Sequence, residues 1–417
     1  MVRLTFIIIT IAACLAPPAS SGALTLAEAE GTMLAHNPRI KAMEREAAMM
    51  KERVSPAGAL DDPRLKLGVN NLPVKDPNFR MEDMTSKEIG ISQMVPLGGK
   101  LSAKEEIALR EYLAARERVR REKIQMLAML RMAAYELAYA RESIAIVNEI
   151  RDQVKLLIES EIAANKTGGG SLSAVLKANL EYSMVDEELI TLRQREEELA
   201  STINYLTAGE VRLELPALDA IEKTETNPQK VKEELLAHSP ELAILKLEFE
   251  GASYGIRLKE REYIPDMELG VSYMQRARGP AGPRDDMFSA MASVNVPLWF
   301  YSKNIPMVAE MKERREMLRK LFDDRRNELM ARADTVAGRI RRSEALCALY
   351  KEQVIPQAKL ALEAYLARYR TGATEFMPMV DTLRMLLRYR KEALMTRMQC
   401  LAGVAELKAL SGTEVTE

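Results

Sequence analysis

The chain carries the same set of landmarks twice, about 200 residues apart, and few folds can satisfy that. His36-Asn37-Pro38 recurs as His238-Ser239-Pro240 at an offset of 202. Asp62-Pro63 is echoed by Ile264-Pro265 and Leu67-Gly68-Val69 by Leu269-Gly270-Val271, both again at 202. Val95-Pro96-Leu97 returns as Val296-Pro297-Leu298 at 201, Thr167-Gly168 as Thr371-Gly372 at 204, and Leu206-Thr207-Ala208-Gly209 as Leu410-Ser411-Gly412 at about 203. A period this long is too large for a solenoid unit. It predicts a duplicated half-molecule with internal pseudo-two-fold symmetry, divided at 24–212 and 213–417, and one composite body in place of two or three independent domains.

Each copy contains one stretch of period two. In Met267-Glu-Leu-Gly-Val-Ser-Tyr273, Met267, Leu269, Val271 and Tyr273 alternate with Glu268, Gly270 and Ser272. Its mate sets Leu65, Leu67 and Val69 against Arg64, Lys66, Gly68 and Asn70. A second strand follows in each copy, Glu88 to Val95 and Met287 to Val296, after the polar loops Lys75 to Thr85 and Arg276 to Asp286. The pattern predicts β-hairpins at about 63–97 and 265–298. Such hairpins suit either a half-buried soluble sheet or tilted membrane strands, whose length is ~9–11 residues. If they cross a membrane, four strands cannot close, since the smallest barrels have about eight; three chains supply about twelve. A homotrimer then follows from the count.

The intervening helices are longer than a globular domain uses. From Leu101 to Thr167 there is neither Gly nor Pro, and a continuous helix of that length spans roughly 100 Å. Ser171 to Thr207 follows without a breaker, predicting a helical hairpin over about 100–207. The second copy repeats it over about 303–411, softened by Gly338 and Pro356 and with Pro378 in the first turn of its return helix. Ile124, Leu127, Leu130, Ala134, Ala138 and Ala145 step at helical spacing, and clusters such as Glu196-Glu197-Glu198 sit beside Arg193 and Arg195. This is coiled-coil composition with a solvated charged face. Helices of this length need partners along their flanks.

Arg3 followed by the apolar run Leu4 to Ala16 reads as a secretory leader, too short to span a bilayer as a helix. Two processing readings stand side by side. Ser21-Gly22-Ala23 suits ordinary cleavage, giving a signal peptide of 1–23; Ile11-Ala12-Ala13-Cys14 suits a lipobox, giving a leader of 1–13 and acylation of Cys14. Cys347 and Cys400 fall roughly level on a hairpin turning at Gly372, so they are either two buried free thiols or a disulfide. With 60 basic and 61 acidic residues, nucleic acid finds no net field here. Two His, each before an Asn-Pro or Ser-Pro, suit helix ends. The 25 Met fall mostly at core spacing, which outweighs a metal relay. No catalytic, cofactor or metal constellation emerges.

Signal, two β-hairpins and two long helical hairpins in tandem resemble the TolC-type outer-membrane efflux family, over nearly the whole mature chain. The specific pieces are Ser92-Gln-Met-Val-Pro-Leu-Gly-Gly-Lys100, its counterpart Ser293-Val-Asn-Val-Pro-Leu298, and Tyr369-Arg-Thr-Gly372 with Val380-Asp381. The second copy has Trp299-Phe300 where the first has Gly98-Gly99, so its turn must be made differently. The resemblance implies a mixed α and β membrane protein. Each protomer would give four strands to a trimeric twelve-stranded outer-membrane β-barrel and long helices to a periplasmic α-helical barrel. It also implies a periplasmic adaptor and an inner-membrane resistance-nodulation-division-type pump as partners, with outer-membrane lipid around the barrel. Tyr369 and Asp381 match gating positions near the helical turn, whereas Thr374 and Pro378 replace other members of that network; Asp381 as an ordinary solvated helix residue stays open. Leu67-Gly-Val-Asn-Asn-Leu-Pro73 and Pro96-Leu-Gly-Gly-Lys100 look closest to the heavy-metal branch, implying export of metal cations; the same duct serving drugs or other exports, a periplasmic adaptor and a structural coiled-coil envelope protein are the alternatives.

Overall fold

The computed structural model describes residues 23–166, 172–221, 227–371 and 376–413. The expected leader with Cys14 and the tip turns at Gly168 and Gly372 lie outside the described residues. The first copy runs α1 (Leu26–His36), α2 (Pro38–Glu52), α3 (Val54–Gly58), β1 (Arg64–Asn70), β2 (Ser86–Val95), α4 (Lys100–Lys166) and α5 (Leu172–Thr207). The second runs α6 (Pro228–His238), α7 (Pro240–Arg261), β3 (Met267–Gln275), β4 (Met287–Val294), α8 (Asn304–Leu349), α9 (Ile355–Arg370) and α10 (Phe376–Ser411). Both copies thus run from short helices through two strands into a long helical hairpin, with α2 and α3 standing opposite the single α7, and α4 opposite α8 and α9.

It also reaches into the core. One cluster includes Ala29, Met33, Ile40, Leu127 and Ala134; another includes Val231, Leu235, Leu242, Leu329 and Val336, each 202 positions later. The landmarks themselves touch. Asn37 caps α2 by accepting from the backbone amides of Arg39 and Ile40, while its amide nitrogen donates to the Leu206 carbonyl at 2.7 Å. In the second copy Ser239 precedes Pro240 at the first turn of α7, and Gly412 approaches so closely that a Cβ would lie 2.5 Å from the His238 carbonyl. Arg120 donates to both carbonyls there, His238 at 3.1 Å and Gly412 at 2.6 Å. Each helical hairpin thus returns to the junction of the two short helices that open its own repeat.

The long helices lie side by side in the order α5, α4, α10, then α8 and α9. Leu, Ala and Met at helical spacing fill the seams, and Gly403 admits α8 so closely that a Cβ would sit 2.8 Å from Ile340. Where α4 runs unbroken, its counterpart is interrupted by a π-helical turn at Tyr350–Val354 just before Pro356. The proline ring would strike the carbonyl four residues back, and the wide turn relieves that clash. Neither Cys347 nor Cys400 is in a disulfide. Cys400 is buried within 3.7 Å of a Glu344 oxygen, whereas Cys347 is only half-buried and lies opposite Ala393, so the hairpin register separates them. Among the described residues no helix is long and apolar enough to cross a membrane.

Candidate functional site: sheet, junction and helical tips

The four strands form one antiparallel sheet in the order β1-β2-β3-β4. Register fixes what shares a face. Leu67 pairs with Ile89, Ile89 with Tyr273 and Tyr273 with Phe288; one row along, Leu65, Ile91, Val271 and Ala290 align. This apolar face is open, with Leu67 71% and Phe288 72% exposed. The other face carries Glu88, Ser92, Glu268 and Ser272. There the buried Glu88 carboxylate meets the Lys66 ammonium at 3.0 Å and accepts from the Asn70 amide at 2.9 Å, while Ser92 donates to Glu268 at 2.8 Å. A soluble sheet packs its apolar face inward and wets the polar one. Here the polarity is reversed, as in a barrel wall with lipid outside and water within. β4 ends at Val294, two residues short of the expected strand, because Asn295 turns its side chain onto the Asp266 amide ahead of Pro297.

Where the strands meet the helices, Gly98 and Gly99 adopt φ of 74° and 71°. A Cβ on Gly98 would lie 2.4 Å from Ile264 Cδ1, so glycine serves both the left-handed turn and the approach of the other repeat. Lys100, buried at the start of α4, donates to the Ile264 carbonyl at 2.6 Å and meets Asp266 at 2.7 Å; Arg261 donates to the Gly99 carbonyl at 2.6 Å. The motif is thus an inter-repeat clasp. The second copy makes its turn with ordinary backbone: the Lys303 amide donates to the Trp299 carbonyl and the Asn304 amide to that of Phe300, both at 3.0 Å. That leaves Trp299 and Tyr301 76% and 77% exposed. Three successive aromatics at the foot of the sheet fit a membrane–water interface. The clasp was not visible as a motif because its partners come from the other copy. The aromatic triplet was visible, in a chain where aromatics are only 5%.

At the far end of the helices, Tyr369 of α9 donates its hydroxyl to the buried Glu161 carboxylate of α4 and packs edge-on to Phe376, ring centroids 5.8 Å apart. Burial, then the Glu161 carboxylate, push the Tyr369 phenol up to about 12. Asp381 is exposed on α10 and pairs with Arg384 at 3.1 Å; Arg384 also meets Glu181 of α5 at 2.9 Å. Of the two residues singled out in the sequence, Tyr369 therefore binds α4 of the first repeat, whereas Asp381 pairs within its own helix α10, and the two do not touch through these bonds. Among the described residues no group of His, Cys, Asp and Glu is placed to hold a metal ion.

An apolar-out sheet standing on helices of this length is the build of a channel wall. The chain belongs to the outer membrane efflux protein family, whose model matches residues 31–205 and 231–413, one stretch in each repeat. That family comprises channel proteins, not enzymes. A stretch of 185 residues, 44% of this chain, is 24% identical to the pyoverdine export outer membrane protein OpmQ of Pseudomonas putida and spans 39% of that relative's length. Among solved structures, CusC aligns with a TM-score of 0.79 at 14% identity over 93% of this chain and 92% of its own. The open state of MtrE from Neisseria gonorrhoeae gives 0.77 at 15% over 93% and 89%, and VceC from Vibrio cholerae 0.77 at 16% over 93% and 96%. Identities this low carry the fold alone.

Proposed function

We propose that three copies of this chain form the outer-membrane exit duct of a tripartite efflux system. A twelve-stranded barrel would be continued by a periplasmic barrel of twelve helices, fed by a periplasmic adaptor and an inner-membrane pump of the resistance-nodulation-division type. The observation that carries this is the sheet: its apolar face is outward, and β1 and β4 are its two edges. Open edges are costly in lipid, and a second and third copy would pair them. The α5 flank supports the same reading, since Leu172, Leu176, Leu180 and Met184 form an exposed apolar stripe at four-residue spacing. The duct itself uses no cofactor.

We further propose that Asp381 lines a ring of three carboxylates near the periplasmic end, with Tyr369 holding α9 against α4 beside it. Asp381→Ala is expected to raise single-channel conductance or relieve cation block in planar bilayers; unchanged behaviour would remove Asp381 from the gate. The cargo we propose is heavy-metal cations, on the strength of the Leu67–Pro73 and Pro96–Lys100 motifs. The similarity to a pyoverdine exporter favours a second reading, export of an organic chelator. Deleting the gene separates them: sensitivity to particular metals with normal siderophore secretion supports the first, and lost secretion with unchanged metal tolerance supports the second.

A further inference from the structure

We infer that the leader is cut off between Cys14 and Leu24, and that Cys14 is not the membrane anchor of the working channel; this rests on the outer-membrane reading of the sheet. The sequence leaves ordinary cleavage and Cys14 acylation as alternatives. The position of Leu24 in the fold separates them.

Leu24 is fixed by backbone bonds, its amide donating to the Arg212 carbonyl and its carbonyl accepting from the Glu214 amide, both at 2.9 Å. The next residue, Thr25, closes a capping box with Glu28 at the start of α1. From there the chain runs antiparallel to α4 overall, from the level of Arg131 to that of Glu105. Glu30 meets Arg131 at 2.7 Å, Arg39 meets Glu122 at 2.6 Å, Glu44 meets Lys123 at 2.7 Å, and Gly58 lies against Glu105. Leu24 is therefore further from the sheet than any of these. Its strand partner Leu213 accepts from Arg141 at 2.9 Å, which sets its level near that residue.

Arg141 lies about 40 residues along α4 from Lys100, or about 60 Å at 1.5 Å per residue. Lys100 is already at the foot of the sheet. The 10 residues of β2 cover about 33 Å, enough for the ~25 Å apolar band of a barrel, so the hydrocarbon ends near Val95 and Trp299. A lipid on Cys14 has ten residues of chain in which to return from Leu24 to the membrane. Fully extended, these reach about 36 Å at most. The shortfall is about 24 Å, and a helix tilt of ~20° recovers only a few ångströms of it. An uncut leader faces the same gap.

The cut that the fold accommodates is hydrolysis of the Ala23–Leu24 bond by a signal peptidase. Water adds across the amide, leaving a carboxylate on Ala23 and an α-amino group on Leu24, and Ser21-Gly22-Ala23 offers the small residues such an enzyme takes. The new amine keeps a proton for the Arg212 carbonyl.

The test is intact mass spectrometry of the full chain purified from the outer membrane, alongside Cys14→Ala. The expected mass starts at Leu24, or a few residues before it, with no acyl chains, and Cys14→Ala leaves outer-membrane levels within twofold. A mature chain starting at acylated Cys14, an uncut leader, or loss of Cys14→Ala from the outer membrane would overturn the inference. A chain starting at Leu24 but recovered in the soluble periplasm would uphold the cut and sink the duct reading, so the two failures are distinguishable.

Discussion

Gly98 shows how far a single position can be read from the chain alone. The sequence marks Pro96-Leu97-Gly98-Gly99 as a strand-to-helix turn, because Pro ends ladder pairing and Gly tolerates a sharp change of direction. It does not show that Ile264, from the other repeat, fills the space a side chain would need. Two costs should add in Gly98→Ala: about 1 kcal/mol for a left-handed residue with a Cβ, and about 1–3 kcal/mol for overpacking against Ile264. Gly209, with nothing within 4 Å of its Cβ position and no left-handed φ, is the control. Thermal unfolding should show Gly98→Ala clearly destabilised and Gly209→Ala near wild type. Removing the obstructing methyl with Ile264→Val should return only the overpacking share. Equal effects at both glycines would refute the clasp.

At the scale of elements, periodicity was a reliable guide wherever one face decides the packing. The alternation in Leu65 to Val69 and Met267 to Tyr273 marked strands that the structure contains, and the breaker-free run from Leu101 became α4. The π-helical turn before Pro356 was legible only as a weak point, since a helix can answer a proline by kinking, breaking or widening. The Tyr369–Glu161 bond was not legible at all: 208 residues separate partners that meet only once the two hairpins pack. It carries a pH signature. The folded phenol sits at about 12 against 10.0 for an ordinary tyrosine, so the folded state holds its proton more tightly. That contribution is fully present below pH 10 and is lost as pH rises toward 12. The stability gap between wild type and Tyr369→Phe should therefore be constant below pH 10 and close above it in thermal melts. A gap that widens with pH would contradict the assignment.

The whole molecule is organised by what one copy leaves unfinished. A protomer with apolar side chains facing out of its sheet, free edges on β1 and β4, and an apolar stripe on α5 exposes more than a solitary soluble chain tolerates. The duplication already pairs β2 with β3 across the two repeats, so the protomer repeats internally the pairing it asks of its neighbours. Strand arithmetic in the sequence pointed to three copies, and the edges β1 and β4 are what the proposed trimer would pair. In the proposed trimer, the asymmetry between the repeats, Gly98-Gly99 inward and Trp299-Phe300-Tyr301 outward, would set a buried clasp and an aromatic foot alternately around the ring. The most direct test is the mass of the detergent-extracted outer-membrane protein by light scattering, corrected for bound detergent. A trimeric duct gives three chains per particle. A stable monomer, or recovery of the protein in the soluble periplasm, would leave four strands with open edges and contradict it.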